Sequence, residues 1–237
     1  MSARGSFYLI PNSLGADSIS DTIPPSLSNF LINTAVIFVE KEKLARRLLI
    51  QLGLKEKLDQ FELISIKHGI DAEMRKAFQH CVESGKDVAL ISDAGCPAIA
   101  DPGHELVSFA HKIGISVRPK TGPSSIILAL MASGFNGQNF AFHGYLPKEV
   151  NKKIQHIRKL ESLAIKEDQT QIFIETPFRN QYLFKDLLST CQKNTNICLA
   201  VNLTFEDEWI KSTTVEQWRR NVPDIHKKQC IFLIYKP

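Results

Sequence analysis

The sequence predicts two α/β domains, the first of them built on a mostly parallel sheet. Short apolar runs of strand length alternate with helical segments as far as residue 118, which is the pattern of successive βαβ units. The chain has 237 residues, enough for one large domain or two smaller ones, and its 43% hydrophobic and 23% charged residues are ordinary for a globular protein. A break rich in proline and glycine at Pro119–Pro123 marks the junction, so the domains are expected at 1–119 and 120–237.

The first half contains five apolar runs, each short enough to be a buried strand. Between them, apolar residues at helical spacing predict helices; the helix that follows Asp71, for example, has Met74 and Phe78 on one face and the aspartate as its N-cap. The expected strands are 7–10, 35–39, 62–66, 88–91 and 115–117, and the expected helices begin near residues 26, 41, 71 and 104.

The second half differs in having a long basic helix and more widely spaced strands. Ser124 is expected to cap its first helix, whose N-terminal N–H groups are suited to meet a ligand. The expected strands are 140–142, 171–175, 197–201 and 231–235, the expected helices are 124–130, 148–166 and 182–191, and a turn is expected at 143–147.

The charge and hydrophobicity of the chain limit the kinds of binding partner that can be expected. The net charge is +4, and basic residues outnumber acidic ones by five in residues 119–237, whereas residues 1–118 carry one more acid than base. This balance permits an anionic partner such as RNA and is explained equally well by a solvated surface. No apolar run approaches the ~20 residues of a membrane span, and none near the N terminus has the form of a secretory signal, so a cytoplasmic protein without a membrane partner is expected.

The sequence lacks the motifs of several common kinds of functional site. The five cysteines form no C-x-x-C pair, which is typical of reduced thiols, and the seven histidines show no ligand spacing, so no metal is expected. No G-x-G-x-x-G follows the first strand, and neither a Walker A motif nor a G-x-S-x-G motif is present. The sequence therefore gives no support to a Rossmann dinucleotide site, a P-loop or a hydrolase triad.

The most informative stretch is the loop Ser92–Gly103, which follows the apolar run Val88–Ile91. It holds two glycines, two prolines and two aspartates in twelve residues. Most βα connections are only ~2–6 residues long, and open α/β sheets bind ligands at the carboxyl ends of their strands, so a ligand-binding loop is expected. The alternative is a connection that is merely rich in turn residues, in which Asp93 and Asp101 bond only their own backbone.

Several loops together resemble those of one family. The stretch 88–103 carries Ser-Asp-Ala-Gly-x-Pro-x-x-x-Asp-Pro-Gly, and the further matches are the turn Pro11–Gly15, the helix start Thr121–Ser125, the segment His143–Pro147 and the segment Ile174–Arg179. They come in the family's order and cover nearly the whole chain. The sequence is similar to the tetrapyrrole methylase superfamily, and it resembles most the branch called ribosomal RNA small subunit methyltransferase I.

This resemblance implies an S-adenosylmethionine-dependent methyltransferase. It implies a homodimer of two-domain α/β subunits, with a mixed sheet in the second domain and the cofactor in a cleft between the domains. The implied substrate is a ribose 2′-hydroxyl of rRNA in the small ribosomal subunit. The positions that match the family's cofactor loops are Pro11, Ser92, Asp93, Ala94, Gly95, Ser124, Ser125 and Leu146.

The loops expected to face the substrate depart from the branch. It carries Ala-Glu-Asp-Thr-Arg after the second strand, of which this chain keeps only Glu40, and its Arg-Glu-Leu-Thr-Lys is replaced here by Val201–Phe205. Two alternatives therefore stay open: a methylase of the same fold acting on a tetrapyrrole or other small molecule, and a cofactor-binding regulatory protein without turnover.

Two carboxylates are candidates for the base that removes the acceptor's proton. Glu40 follows the second strand, where the cofactor loops are expected, and its alternative role is that of an acid favoured at a helix start. Glu175 lies in the matched segment with Arg179, and its alternative role is a local ion pair.

Overall fold

The computed structural model describes residues 4–15, 19 and 21–236. It contains two compact units, Met1–Ser124 and Ser125–Pro237, which meet five residues beyond the junction expected from the sequence. Residues 1–3, on which the absence of a secretory signal partly depends, lie outside the described residues.

The first unit is built on a five-stranded parallel sheet. Its strands are β1 (Phe7–Ile10), β2 (Thr34–Val39), β3 (Glu62–Ser65), β4 (Asp87–Ile91) and β5 (Val117–Pro119). They are ordered β3-β2-β4-β1-β5, and all four neighbouring pairs are parallel. The predicted parallel sheet is therefore confirmed, and the carboxyl ends of its strands all lie at one edge.

Helices of the first unit cover both faces of this sheet. They are α1 (Leu27–Leu31), α2 (Glu42–Gln51), α3 (Ala72–Glu83) and α4 (His104–Lys112), with a 3₁₀ turn at Lys55–Gln60. Asp71 caps α3 as expected, since its Oδ1 accepts a hydrogen bond of 2.8 Å from Met74 N. Alternate strand residues supply two separate cores, one with Ile10 and Ile37 and the other with Phe7 and Phe38.

The second unit is built on a mixed sheet. Its strands are β6 (Phe140–Tyr145), β7 (Thr170–Ile174), β8 (Asn196–Val201), β9 (Trp209–Thr214) and β10 (Cys230–Tyr235). The order is β6-β7-β10-β8-β9; β6 pairs with β7 in parallel and the other pairs are antiparallel, as the resemblance implied.

The helices of the second unit are α5 (Ser125–Ser133), α6 (Val150–Lys166), α7 (Asn180–Thr190) and α8 (Val215–Arg220). Trp218 of α8 anchors its core: the indole Nε1 donates to Ile197 O at 2.9 Å, and the ring stands edge-on to Phe184 at a centroid distance of 5.4 Å. No helix among the described residues is long and apolar enough to cross a bilayer.

Four elements differ most from the sequence prediction. The strand β6 continues to Tyr145 through a register shift at Gly144 (φ +63°), so the turn expected at 143–147 is wrong. The strand β5 begins two residues later than expected, and β9 and α8 were not predicted at all. β9 is an edge strand with an exposed Lys211 and Ser212 near its centre, so it has no apolar run by which the sequence could show it.

Candidate functional site

Two loops at the carboxyl edge of the first sheet are joined through Asn12. Asn12 and Gly95 exchange backbone hydrogen bonds of 2.9 and 3.0 Å, which link the loop after β1 to the loop after β4. The Asn12 side chain donates to Ser92 O at 3.1 Å and to Asp93 O at 3.2 Å, and its Oδ1 accepts from Ser13 N at 2.8 Å. From the sequence alone, Asn12 is expected only as a turn residue. Its burial, with 5% of its surface exposed, is what marks it as the central residue of this junction.

Close approach of a third loop depends on glycine. A Cβ at Gly122 would lie 2.2 Å from Cγ and 2.3 Å from Cβ of the Pro11 ring, so only glycine lets the 120–123 turn reach the end of β1. Cys96 Sγ also lies 3.4 Å from Pro123 O. The three loops after β1, β4 and β5 thus form one surface, which we call the loop junction (residues 11–15, 92–103 and 120–123).

The loop 92–103 is held in an unusual backbone conformation. Ala98 and Ala100 both have positive φ, at 63° and 59°, and Gly95 and Gly103 lie in the same region at 70° and 118°. An alanine in this region costs about 1 kcal/mol, because its Cβ crowds the backbone. Strain of this kind concentrates at ligand-binding sites, so these outliers favour a functional loop over a plain connection.

An ion-paired carboxylate cluster lies beside the loop junction. Strand register places Val39 opposite Ile91, so the residues that follow β2 and β4 are neighbours. Glu40 Oε2 accepts from Asp93 N at 3.3 Å, and Lys41 N donates to Asp93 Oδ1 at 3.1 Å. The Lys41 ammonium group pairs with the other oxygen of Asp93. The Asp93 carboxylate is therefore fixed from the end of β2.

Burial and mutual repulsion raise the proton affinity of this cluster. The pKa of Asp101 is raised to about 7, first by burial and then by the carboxylates of Glu40 and Asp93, while Lys41 opposes the shift. Burial likewise raises the pKa of Glu40, and the hydrogen bond to Asp93 raises the pKa of Lys41. Near neutral pH the site can therefore hold a proton on a carboxyl group that would ordinarily be ionised.

Replacement of Asp101 by asparagine should stabilise the protein in a pH-dependent manner. Because the folded-state pKa of Asp101 is raised, the folded protein binds more protons than the unfolded chain between its ordinary pKa of 3.8 and about 7, and stability is lost as the pH rises through that window. Asp101→Asn should therefore raise Tm at about pH 8, and it should raise Tm by clearly less at about pH 5, which lies within the window. Thermal unfolding at the two pH values measures this, with the exposed Asp59→Asn as control; equal changes at both pH values would contradict it.

The predicted cofactor residues divide between the two units. Pro11, Ser92, Asp93 and Gly95 come together in the loop junction, and Ala94 is exposed at its surface. The Ser92 hydroxyl donates to Gly95 O at 2.8 Å and is buried, so it shapes the loop.

The other predicted residues lie at or beyond the end of the first unit. Ser124 is the last residue of the first unit, and Ser125 begins α5 in the second. The Leu146 side chain is packed in the core of the second unit, which leaves its backbone for any ligand contact. Glu175, also in the second unit, uses Oε1 to accept from both Thr176 N (2.6 Å) and Arg179 Nη2 (2.5 Å).

Comparison with known proteins decides the family. The model of the family described as Tetrapyrrole (Corrin/Porphyrin) Methylases matches residues 23–218, which is most of the chain. The chain belongs to the tetrapyrrole methylase family. It is accordingly a methyltransferase, as the order of its loops implied.

Individual relatives agree with this assignment. Ribosomal RNA small subunit methyltransferase I of Halalkalibacterium halodurans is 30% identical over 220 residues, which are 92% of this methylase and 72% of that protein. Among solved structures, the methyltransferase CobJ has a TM-score of 0.64 at 16% identity, covering 98% of this chain and 94% of that one. Uroporphyrin-III C-methyl transferase from Thermus thermophilus, solved with S-adenosyl homocysteine, has a TM-score of 0.57 at 14% identity and covers 98% of both chains. At these identities the two structures show the shared fold alone.

Proposed function

We propose that this methylase transfers a methyl group from S-adenosylmethionine to a ribose hydroxyl of RNA in the small ribosomal subunit. The observation that carries the proposal is the loop junction itself, in a chain whose 30%-identical relative is named a ribosomal RNA small subunit methyltransferase. The ribose 2′-hydroxyl as acceptor comes from the resemblance of the loops. The same resemblance supports a homodimer, and the unpaired pattern of the cysteines supports a cytoplasmic location.

The chemistry of the loop junction suits this cofactor. S-adenosylmethionine supplies, when bound, a methyl group on a positively charged sulfur. The carboxylates of Glu40, Asp93 and Asp101 outnumber the Lys41 ammonium group that pairs with Asp93, so the cluster favours a cation. The Lys120 ammonium group, also at this edge, lies against the rings of Tyr8 and Phe30. The Asp101 carboxylate accepts no hydrogen bond within the described residues, which leaves it able to accept one from a ribose hydroxyl. Ala94 is an exposed residue of the same loop, so its backbone N–H can meet an adenine edge or a carboxylate.

Of the two candidate bases, Glu40 suits the reaction better. Its pKa is raised, which brings a carboxylate closer to the pH at which a base works best. Its hydrogen bond from Asp93 N also holds the carboxylate at the loop junction. Glu175 is committed through one oxygen to Arg179 and Thr176, an arrangement that suits a positioning role for that segment. Since methyl transfer is an in-line displacement, positioning of the acceptor is expected to contribute most of the rate.

The first test of the proposal is cofactor binding. We expect purified protein to bind S-adenosylmethionine and S-adenosylhomocysteine in calorimetry, with one site per chain. Asp93→Ala should weaken both by roughly tenfold, because it releases Lys41 and removes the carboxylate that ties the loop to β2. Asp59→Ala, which removes an exposed carboxylate of the same unit, should bind as the wild type does. An unchanged dissociation constant for Asp93→Ala would contradict the role of this residue.

The second test identifies the acceptor. Incubation with isotopically labelled cofactor should transfer label to small ribosomal subunits or their rRNA. Glu40→Gln should slow this transfer by a much larger factor than it weakens cofactor binding. Cofactor binding without transfer to any ribosomal RNA would overturn the proposed acceptor. Absence of cofactor binding would overturn the proposal as a whole.

A further inference from the structure

The second unit carries an exposed aromatic surface that is separate from the loop junction in sequence. Phe178 lies in the turn before α7 and Tyr182 in the first turn of that helix, with 64% and 65% of their surfaces exposed. The ring of His226 stands edge-on to Phe178, with centroids 6.2 Å apart and planes at 73°. Single exposed apolar side chains are ordinary, but rings from two adjoining segments form a defined surface. We call Phe178, Tyr182 and His226 the aromatic patch.

The backbone that carries the aromatic patch is held firmly. Hydrogen bonds join the turn 223–228 to the start of α7. They run from Asn180 Nδ2 to Lys228 O (2.6 Å), from Gln181 Nε2 to Pro223 O (3.2 Å), from Ile225 N to Gln181 Oε1 (2.9 Å) and from Lys227 N to Pro177 O (3.0 Å). Because the segments are already fixed, a planar ligand can stack on the rings with little further loss of backbone entropy.

The charges around the aromatic patch favour an anion. Within the described part of the chain, Lys185 and Lys227 form no ion pair, whereas Arg179 and Lys228 of the same segments are paired with Glu175 and Asp207. The one further acid of these segments, Asp224, accepts a hydrogen bond from His226 N at 2.9 Å. Both lysines are exposed, so they can contact phosphate groups without breaking an internal pair.

We propose that the aromatic patch binds single-stranded RNA, with bases stacked on Phe178 and Tyr182 and with Lys185 and Lys227 on the phosphates. The inference rests on the proposed function, since it names the part of the chain that would hold the RNA. Proteins recognise unpaired bases by stacking them on aromatic side chains, and base-paired RNA keeps its bases inside the helix. The basic, polar surroundings of the rings favour RNA over a second copy of the chain.

The experiment is a binding titration of the full chain with a fluorescently labelled, unstructured oligoribonucleotide at one fixed salt concentration. Phe178→Leu and Tyr182→Leu keep an apolar side chain and lose the stacking face, so each should raise the Kd by roughly tenfold. Phe178→Trp should restore binding to the wild-type value or better. Tyr145→Leu is the matched control, because it removes another tyrosine of the same unit, 58% exposed, that lies outside the patch.

Further readouts separate this proposal from its rivals and from the proposed function. A duplex of the same sequence should bind without dependence on Phe178, and cofactor affinity should not change in Phe178→Leu. An unchanged Kd for single-stranded RNA in both leucine variants would overturn the proposal. Conversion of a dimer to a monomer by Phe178→Leu would also overturn it, because the aromatic patch would then be the contact with a second copy of the chain. If RNA binding depends on Phe178 but no methyl group is transferred, the proposed function is overturned and the aromatic patch is established as an RNA-binding surface. If methyl transfer to RNA occurs but the leucine variants bind single-stranded RNA with an unchanged Kd, the proposed function stands and the role of the aromatic patch is overturned.

Discussion

Replacement of Asn12 by alanine is expected to abolish tight cofactor binding and to destabilise the first unit. The side chain makes three hydrogen bonds in a buried position, to Ser92 O, Asp93 O and Ser13 N. Losing them leaves buried backbone groups unpaired and should lower the free energy of unfolding by about 3 kcal/mol, at about 1 kcal/mol for each bond. Because the lost bonds set the shape of the loop 92–95, the Kd for S-adenosylmethionine should rise by more than about tenfold.

Two variants control the Asn12 experiment. Asn12→Asp keeps the size and the acceptor for Ser13 N, but it places a carboxylate oxygen against two carbonyl oxygens, so it should be at least as damaging as alanine. Asn29→Ala removes an exposed asparagine of α1 and should behave as the wild type. Both tryptophans belong to the second unit, so tryptophan fluorescence follows that unit while circular dichroism follows both during urea unfolding. Full cofactor affinity in Asn12→Asp would contradict the role of the amide.

Gly122→Ala is expected to open the loop junction. The new methyl group would lie 2.2 Å from Cγ of Pro11, and since the proline ring cannot rotate away, the 120–123 turn must retreat. Overpacking of this kind costs about 1–3 kcal/mol, and the retreat should raise the Kd for S-adenosylmethionine by more than about tenfold. Calorimetry and thermal unfolding measure the two effects.

Gly137→Ala is the matched control for this substitution. A Cβ at Gly137 meets nothing within 4 Å, and this glycine does not need a positive φ, so the variant should show neither effect. If Gly122→Ala bound the cofactor as tightly as Gly137→Ala, the close approach of the two loops would not be needed for binding.

The sequence was sufficient for most of the fold. Runs such as 7–10 and 88–91 are apolar without interruption because the strands of a parallel sheet are buried on both faces, and the helices between them show their spacing clearly. The two elements that were not predicted are β9 and α8. β9 is an edge strand that is polar and half exposed, and α8 is a short helix capped by Thr214. An edge strand is defined by its partner strand, which local residue patterns do not show.

Individual residues of the candidate site were predicted from the sequence, but the contacts between them were not. The composition of the loop 92–103 and the position of Glu40 at a strand end are visible in the sequence, and they led to Asp93 and Glu40 as candidates. The role of Asn12 was not visible, because a buried asparagine that joins two loops has the same local sequence as one in an exposed turn. Asp101 was also known only as a loop residue, since its raised pKa comes first from burial and then from the carboxylates of Glu40 and Asp93, all of which depend on the fold.

By itself, then, the sequence determined the alternation of strands and helices, the special loop after β4 and the family to which the loops belong. These properties depend on local composition and spacing, which a single chain displays directly. Only the tertiary structure decided which loops touch, which carboxylates lie close together and which aromatic rings stay exposed. These depend on the pairing of distant strands: the register that places Val39 beside Ile91 brings Glu40 to Asp93 across more than fifty residues of chain.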